Sequence, residues 1–453
     1  MLEYGSPNVP TRSMAHRVLI ITYLFPPSGG IGPPRYVGYT RHLPAHGCEV
    51  SVIAPKNPNT PLYDPALLKQ VPPQTHIHRV FAPTVPYFLR DRIWKKIAGK
   101  PAVSVGAPDS GSGLIHTGKK IAKEAVQRFF NPDVQKFWVP FVLRRARQVI
   151  REENIQTVIL NIPPFSLFAL VPPLKREFPR LKWITEIRDD WLGYYLEFFD
   201  SAKTDAKHRL AIRLEGDAMR ASDFVVAVTP AQSDAMRDRY PDQPPGKFLC
   251  VPNGYDGELY ENFKPSRQGR TNMVVTYYGS LYATPPYDIT GYLDALDRLP
   301  DQIRDQIETR FIGRVAVEAQ PLLAGRKAKI TQLGFLPRGE GVVKLQESDY
   351  LLLASNDPTA HAGKLFDYLP TGLPIMALSP ENGEIARLLR ESGGGVAVNG
   401  KDPEAIQQVL LSALARLKGE PSQFPVPIPG AIAAFERKNL VARLVKLTGI
   451  GRE

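Results

Sequence analysis

The chain has almost no cysteine: Cys48 and Cys250 are the only two in 453 residues, far apart and each in apolar surroundings. A disulfide framework and a cysteine-based metal site are thereby excluded, and the pair reads as buried free thiols in a reducing compartment. The eight histidines are scattered and no Asp-x-Asp falls at a strand end, so no metal-ligating cluster is visible and no metal is expected. Long hydrophobic runs are also missing. Within the longest uncharged stretch, Val158 to Leu174 carries Pro163, Pro164, Pro172 and Pro173, a set that a spanning helix does not tolerate. Val18 to Phe25 is too short and too strand-like for a signal-peptide core. Acidic residues are outnumbered, with 57 Lys+Arg against 45 Asp+Glu and a net charge of +12. That balance points to anionic partners: phosphates, nucleic acid or an anionic membrane face.

What is present is the material of two globular domains, 43% hydrophobic and 23% charged. Residues 1–16 read as a loose leader, with Met14 a plausible second start. The positive excess is uneven, since Arg90 to Arg151 holds 14 Lys/Arg and 4 Asp/Glu. Within it Tyr87, Phe88, Leu89, Ile93, Trp94 and Ile97 alternate with Arg90, Arg92, Lys95, Lys96 and Lys100, a pattern resembling an interfacial membrane helix. Arg144, Arg145, Arg147 and Arg151 decorate a later helix. Solvated helix faces and an anionic membrane partner are both open here. Nucleic acid is not expected, because no zinc knuckle, recognition helix or aromatic stacking platform accompanies the charge. Ala102 to Gly113 is small and polar and reads as a mobile loop.

Taken in order, Arg17 to Phe25 is a buried strand followed at once by PPSGGIGPPR. Gly29, Gly30 and Gly32 allow a tight turn and close approach to a ligand, Pro33-Pro34 suit a first helical turn, and Arg35 adds a positive charge. A helix to about Ala45 and a strand from Glu49 to Ala54 complete a βαβ unit. The glycine turn serves either packing or ligand contact. Thr157 to Ile162 ends in Pro163-Pro164-Phe165-Ser166, and Leu181 to Ile187 ends in Arg188-Asp189-Asp190-Trp191. Two polar-tipped strand ends in one sheet mark the ligand edge of a doubly wound domain. Pro252 to Asp256 is a turn with no room for further sheet and closes the first domain.

The second half repeats the alternation. Asn272 to Tyr278 is a strand tipped by Gly279-Ser280, and a strand from Glu308 ends in Gly313-Arg314. Ile330 to Phe335, Tyr350 to Ala354, Ile375 to Leu378 and Val396 to Val398 are further strands, and Ala431 to Leu447 is a final amphipathic helix. The stretch Gly363 to Leu378, GKLFDYLPTGLPIMAL, reads as a short helix, a break and a buried strand. Gly363 and Lys364 open that helix, so backbone N–H groups, the positive dipole end and an ammonium converge as an anion site. Asp367, one turn on, could accept hydrogen bonds from sugar hydroxyls; an ordinary amphipathic helix with Lys364 and Asp367 solvated is the alternative open at this point.

The stretches YLFPPSGGIGPPR, HGCEVSVIAP, NIPPFS, EIRDDW, VPNGYD, YYGSLY and GKLFDYLPTGLPI, in this order and spacing, resemble the GT-B glycosyltransferases of the family 4 type from Arg17 to about Leu447. The resemblance implies an α/β fold of two Rossmann-like doubly wound parallel-sheet domains facing across a cleft: 17–256 for the acceptor and 257–425 for the donor. Residues 426–453 would be a linker and a helix crossing back to the first domain. It implies a nucleoside-diphosphate-sugar donor, a lipid-linked or polysaccharide acceptor, no cofactor or metal, and retention of anomeric configuration at the cytoplasmic face of the cell membrane. Carried across, Asp367 falls on the second glutamate of the family's paired motif, the ribose ligand, and Thr359 replaces the first. The family's Gly-Arg pair is here Gly279-Ser280, leaving the pyrophosphate to Gly363, Lys364, Leu365, Arg314 or Arg35. Arg188 and Asp189 occupy the tip where the family often has a catalytic histidine, as in a related bacterial branch with an R-D-x-W tip. The competing readings are a non-catalytic GT-B binding protein and a nucleotide-sugar epimerase.

Overall fold

The computed structural model describes residues 15–30, 32–60, 62–83, 131–195, 205–267, 269–284 and 287–451. The basic aromatic segment from Tyr87 to Lys100, the loop from Ala102 to Gly113 and the leader before residue 15 lie outside them. Apolar runs become the central strands of two parallel sheets, as expected of strands covered on both faces. The first sheet holds β1 (His16–Ile21), β2 (Cys48–Pro55), β3 (His76–Val80), β4 (Thr157–Ile162), β5 (Lys182–Ile187), β6 (Phe224–Ala227) and β7 (Phe248–Cys250). The second holds β8 (Met273–Tyr278), β9 (Ile307–Ile312), β10 (Lys329–Gly334), β11 (Tyr350–Ala354), β12 (Ile375–Leu378) and β13 (Gly395–Val398). Their orders are β3-β2-β1-β4-β5-β6-β7 and β10-β9-β8-β11-β12-β13.

Each order reverses direction once, between β1 and β4 and between β8 and β11, where adjacent crossovers leave on opposite faces and open a crevice at the carboxyl ends. Register pairs Val18 with Thr157 and Ile21 with Leu160, so β4, ending at Ile162, reaches just beyond the carboxyl end of β1. In the second sheet Tyr350 pairs with Val275. Alternate residues fill separate cores. Leu19, Ile21, Val158 and Leu160 face one side of the first sheet, and Val18, Ile20, Ile159 and Ile184 face the other.

That second face is completed from the far end of the chain by Leu440, Val441, Leu444 and Val445 of the helix Arg437–Thr448. Lys182 Nζ closes this helix by donating to the carbonyls of Thr448 and Gly449, each at 2.9 Å. The expected single helix from Ala431 to Leu447 is in fact two, Pro429–Ala433 and Arg437–Thr448. Between them the chain extends and bonds to the end of the first domain: Tyr255 N–H donates to Phe435 O at 3.1 Å and Arg437 N–H to Tyr255 O at 2.9 Å. Gly254 fits because a Cβ there would meet the Phe435 carbonyl oxygen at 2.2 Å. A second correction concerns β1, which stops at Ile21 and not at Phe25. The Thr22 hydroxyl accepts from Leu24 N–H at 3.0 Å and turns the chain out of the sheet.

Leu444 is fully buried and Lys446 is exposed. Leu444→Ala is therefore expected to cost about 2–5 kcal/mol in urea unfolding. Lys446→Ala on the same helix should stay within about 0.5 kcal/mol.

Candidate functional site

Direct hydrogen bonds bring the carboxyl ends of the two sheets together. Thr229, just past β6, donates its hydroxyl to the Thr359 carbonyl at 2.6 Å, and Ala231 N–H donates to Glu384 Oε1 at 3.1 Å. The tips of β1, β4, β5, β8 and β11 therefore border a shared crevice.

From the second domain, the residue that reaches into it is Lys364. Its ammonium donates to the Tyr277 hydroxyl and, at 3.1 Å, to the Ser280 carbonyl, and it lies 3.8 Å from the centre of the Tyr277 ring. Gly279 makes this possible. Its φ of +123° favours glycine, and a Cβ there would sit 2.7 Å from Lys364 Cε. Lys364 is only half-buried by accessibility but has protein on nearly every side, as befits the floor of a crevice. Burial with no carboxylate partner lowers its pKa to about 7.

The helix it was expected to open is a single turn, Leu365–Tyr368, followed by a tighter turn that ends at Gly372. The N–H groups of Leu365 and Phe366 are already bonded to the carbonyls of Ala362 and Gly363, at 3.0 and 3.2 Å. The helix start thus offers less to an anion than expected: one turn adds little dipole, and the N–H groups of Leu365 and Phe366 are used internally. Positive charge comes from the side chain. Leu365 is fully buried in the core and offers no side chain to a ligand.

From the first domain come Arg188 and Asp189. Arg188 N–H bonds to Ile162 O at 2.9 Å, and its guanidinium reaches the β1 loop, where a Cβ on Gly32 would lie 2.9 Å from Nη1. Gly32 thus makes room for Arg188. Gly29 and Gly30 belong to a loop stapled to residues 62–64: Gly29 N–H bonds to Leu62 O at 2.9 Å and Asp64 N–H to Pro27 O at 2.8 Å. Asp189 is solvent-accessible yet deeply enclosed, and its pKa is raised by burial, opposed by Arg188 and reinforced by Asp357. The structure sorts the tandem acids, because Asp190 is held by Arg239 at 2.8 and 2.9 Å. Asp189 is the one left facing the crevice.

Arg35 is a correction. Its guanidinium turns away from the glycine loop into a buried pair with Glu186, with Nε at 2.9 Å and Nη2 at 2.6 Å from Oε1, and also donates to Pro252 O and Val251 O. Arg314 lies next to the β8 tip, since Leu281 N–H bonds to its carbonyl at 2.9 Å, and its side chain is exposed. Asp367 accepts from Arg338 at 2.6 Å and from the Tyr260 hydroxyl at 3.4 Å.

Several residues of the site carry no local sequence signal. Tyr277 holds the ammonium from within a strand. Asp357 accepts from Thr359 N–H and Oγ1 at 2.8 Å each, which returns a carboxylate near the position where Thr359 removes one. Tyr287 has its pKa raised by burial, with the charges of Asp189 and Asp357 adding to the shift. His361 is buried with Nε2 3.6 Å from Glu384 Oε2. Burial would raise Glu384, but His361 and Arg387 outweigh it and bring its pKa down to about 2. Among the described residues no group of three His, Cys, Asp or Glu side chains could hold a metal ion, and no helix is long and apolar enough to cross a membrane.

Comparison with known proteins agrees with this architecture. Residues 32–254 match a family model described as a glycosyl transferase 4-like domain. Among solved structures, the chain superposes on Anabaena HepE in complex with UDP and glucose with a TM-score of 0.58 and 14% identity, covering 95% of this chain and 99% of that one. A glycosyltransferase from Rickettsia africae gives 0.58 and 13%, covering 96% and 98%. The N-terminal domain of Candida albicans trehalose-6-phosphate phosphatase gives 0.61 and 12%, covering 97% of each. No curated protein matches the sequence significantly. The fold is that of the GT-B glycosyltransferases.

The Arg35–Glu186 pair yields a stability prediction. Burial would raise Glu186, but Arg35 outweighs it and holds the carboxyl below its ordinary range, so the pair's contribution is present above that range and is lost as pH falls. Arg35→Met should cost about 3–5 kcal/mol in urea unfolding by stranding a buried carboxylate. Adding Glu186→Gln should recover part of that loss.

Proposed function

We propose that this chain, a GT-B protein with a glycosyl transferase 4-like stretch over residues 32–254, moves a sugar from a nucleoside-diphosphate sugar to a hydroxyl of a lipid-linked or polysaccharide acceptor. The observation that supports the reading is that Lys364, with its Tyr277 and Gly279 neighbours, and Asp189, beside Arg188, both border Tyr287: the Lys364 ammonium lies 5.8 Å from its ring centre, and burial and then the Asp189 charge raise its pKa. In this reading the diphosphate leaves as negative charge builds on it, and Lys364 and Arg188 stabilise that charge without a metal. Asp189 orients the acceptor hydroxyl and takes its proton, a role suited to a carboxyl whose pKa is raised. Departure and attack on one face of the sugar would retain its configuration. HepE, seen with UDP and glucose, supports a nucleotide-sugar ligand.

An anionic membrane face is proposed as the site of action, at the cytoplasmic side. Its support is the charge pattern from Tyr87 to Lys100. The helix Val139–Glu152 lends less, because Arg147 and Arg151 are both paired with Glu177. Sedimentation with anionic liposomes should fall steeply between low and physiological salt, as an electrostatic attachment requires. Binding insensitive to salt would contradict it.

Purified protein incubated with UDP-, GDP- and ADP-sugars should release free nucleoside diphosphate, and Lys364→Met should lower that rate by about 100-fold or more. Nucleotide bound without turnover would point to a non-catalytic binding protein. With the amine at about 7, diphosphate favours the protonated form, so binding should take up a proton and weaken as pH rises from 7 to 8.5. Calorimetry in buffers of different ionisation enthalpy reads this directly, and the pH dependence should flatten in Lys364→Met.

A further inference from the structure

Asp367 does not stand alone on its one-turn helix. Its Oδ1 accepts from Arg338 Nη2 at 2.6 Å and from the Tyr260 hydroxyl at 3.4 Å. Its Oδ2 has no hydrogen-bond partner among the described residues, and the side chain is 22% exposed. Arg338 opens the helix Arg338–Leu345 that follows β10, the edge strand of the second sheet. Its Nη1 also lies 3.6 Å from Asp256 Oδ2, and Asp256 is bound in turn by Arg437, the first residue of the last helix. Four alternating charges, Asp367, Arg338, Asp256 and Arg437, thus run from the crevice to the chain crossing between the domains. Burial works against the charge on Arg338, but Asp367, Tyr260 and Asp256 outweigh it and hold its pKa above the ordinary arginine range.

We propose that Arg338 is a positioning residue for the donor nucleotide: by gripping one oxygen of Asp367, it presents the other to the ribose 2′-hydroxyl. This rests on the reading of the crevice as a nucleotide-sugar site. A carboxylate free to rotate on a two-bond side chain offers its oxygens in many directions. One fixed through Oδ1 by a guanidinium offers Oδ2 in a single direction, and a hydrogen bond to a charged acceptor discriminates sharply when its geometry is fixed. The gripping arginine therefore selects for a ligand that carries a hydroxyl at that point. A ribonucleotide meets this requirement and its 2′-deoxy counterpart does not. Removing the guanidinium does not strand Asp256, which keeps Arg437.

Calorimetry with UDP, ADP and GDP and with their 2′-deoxy forms tests the proposal. The wild-type chain should bind one ribonucleoside diphosphate about tenfold or more tighter than its 2′-deoxy form, as a charge-assisted hydrogen bond implies. Arg338→Gln should bring that ratio close to one by weakening the ribonucleotide alone, and Arg338→Lys should restore part of it. A general structural role would weaken both nucleotides equally and leave the ratio where it was. In an Asp367→Asn background, Arg338→Gln should change the ratio no further, a comparison that stands even if one single variant unfolds. A ratio unchanged by Arg338→Gln, or a wild-type chain that binds both forms equally, overturns the role given to Arg338 and leaves the nucleotide site intact. A wild-type chain that binds none of the six overturns the nucleotide-sugar reading, and this role with it.

Discussion

Thr229 and Ala231 from one sheet, bonded to Thr359 and Glu384 from the other, set the condition on which the site depends. In a doubly wound parallel sheet the polar loops gather at the carboxyl edge, so each domain alone offers half a binding surface. Two contacts made edge to edge convert these halves into one crevice. Glu384 carries extra duty, because its carboxylate also meets Arg387 and buried His361. The domain contact is therefore wired to the loop between Asp357 and Lys364, which lies beside the switch point of the second sheet.

Charge inside the molecule is handled in two different ways. Arg35, buried, and Arg338, partly exposed, are each paired with a carboxylate and carry fixed positive charge, used to hold other groups in place. Among the described residues, Lys364 is enclosed with a phenol, a carbonyl and aromatic faces around it and no carboxylate. A cation so placed is costly until an anion arrives, which separates a group meant to meet ligand from groups meant to brace structure. The overall excess of basic residues says little about either; what matters is which cations have carboxylates in reach.

Much of this was legible from the chain. Strands β11 and β12 begin and end where their apolar runs do, because a strand buried on both faces leaves no polar residue to blur its limits. Arg188, Asp189 and Gly279 were legible as polar or glycine residues at strand tips, and Lys364 as the basic residue at a helix start. Their surroundings were not. The partner of Asp190 lies 49 residues away and that of Asp367 lies 29 away, separations over which residue pattern carries no register. Arg35 misled for the same reason, since an arginine beside a glycine turn reads as a ligand contact until Glu186 is seen beneath it. The break in the last helix at Glu436 was hidden as well, for an extended residue is dictated there by Tyr255 across the gap and not by its own neighbours.

The chain passes between the domains twice, near Tyr255 and again near Glu436, and these passages are bonded side by side. A single linker would leave the two bodies free to swivel and drift. A doubled one restrains both, because the bodies cannot part without straining the bonds between the two passages. Whatever enters the crevice therefore meets jaws tied together at two strands of chain.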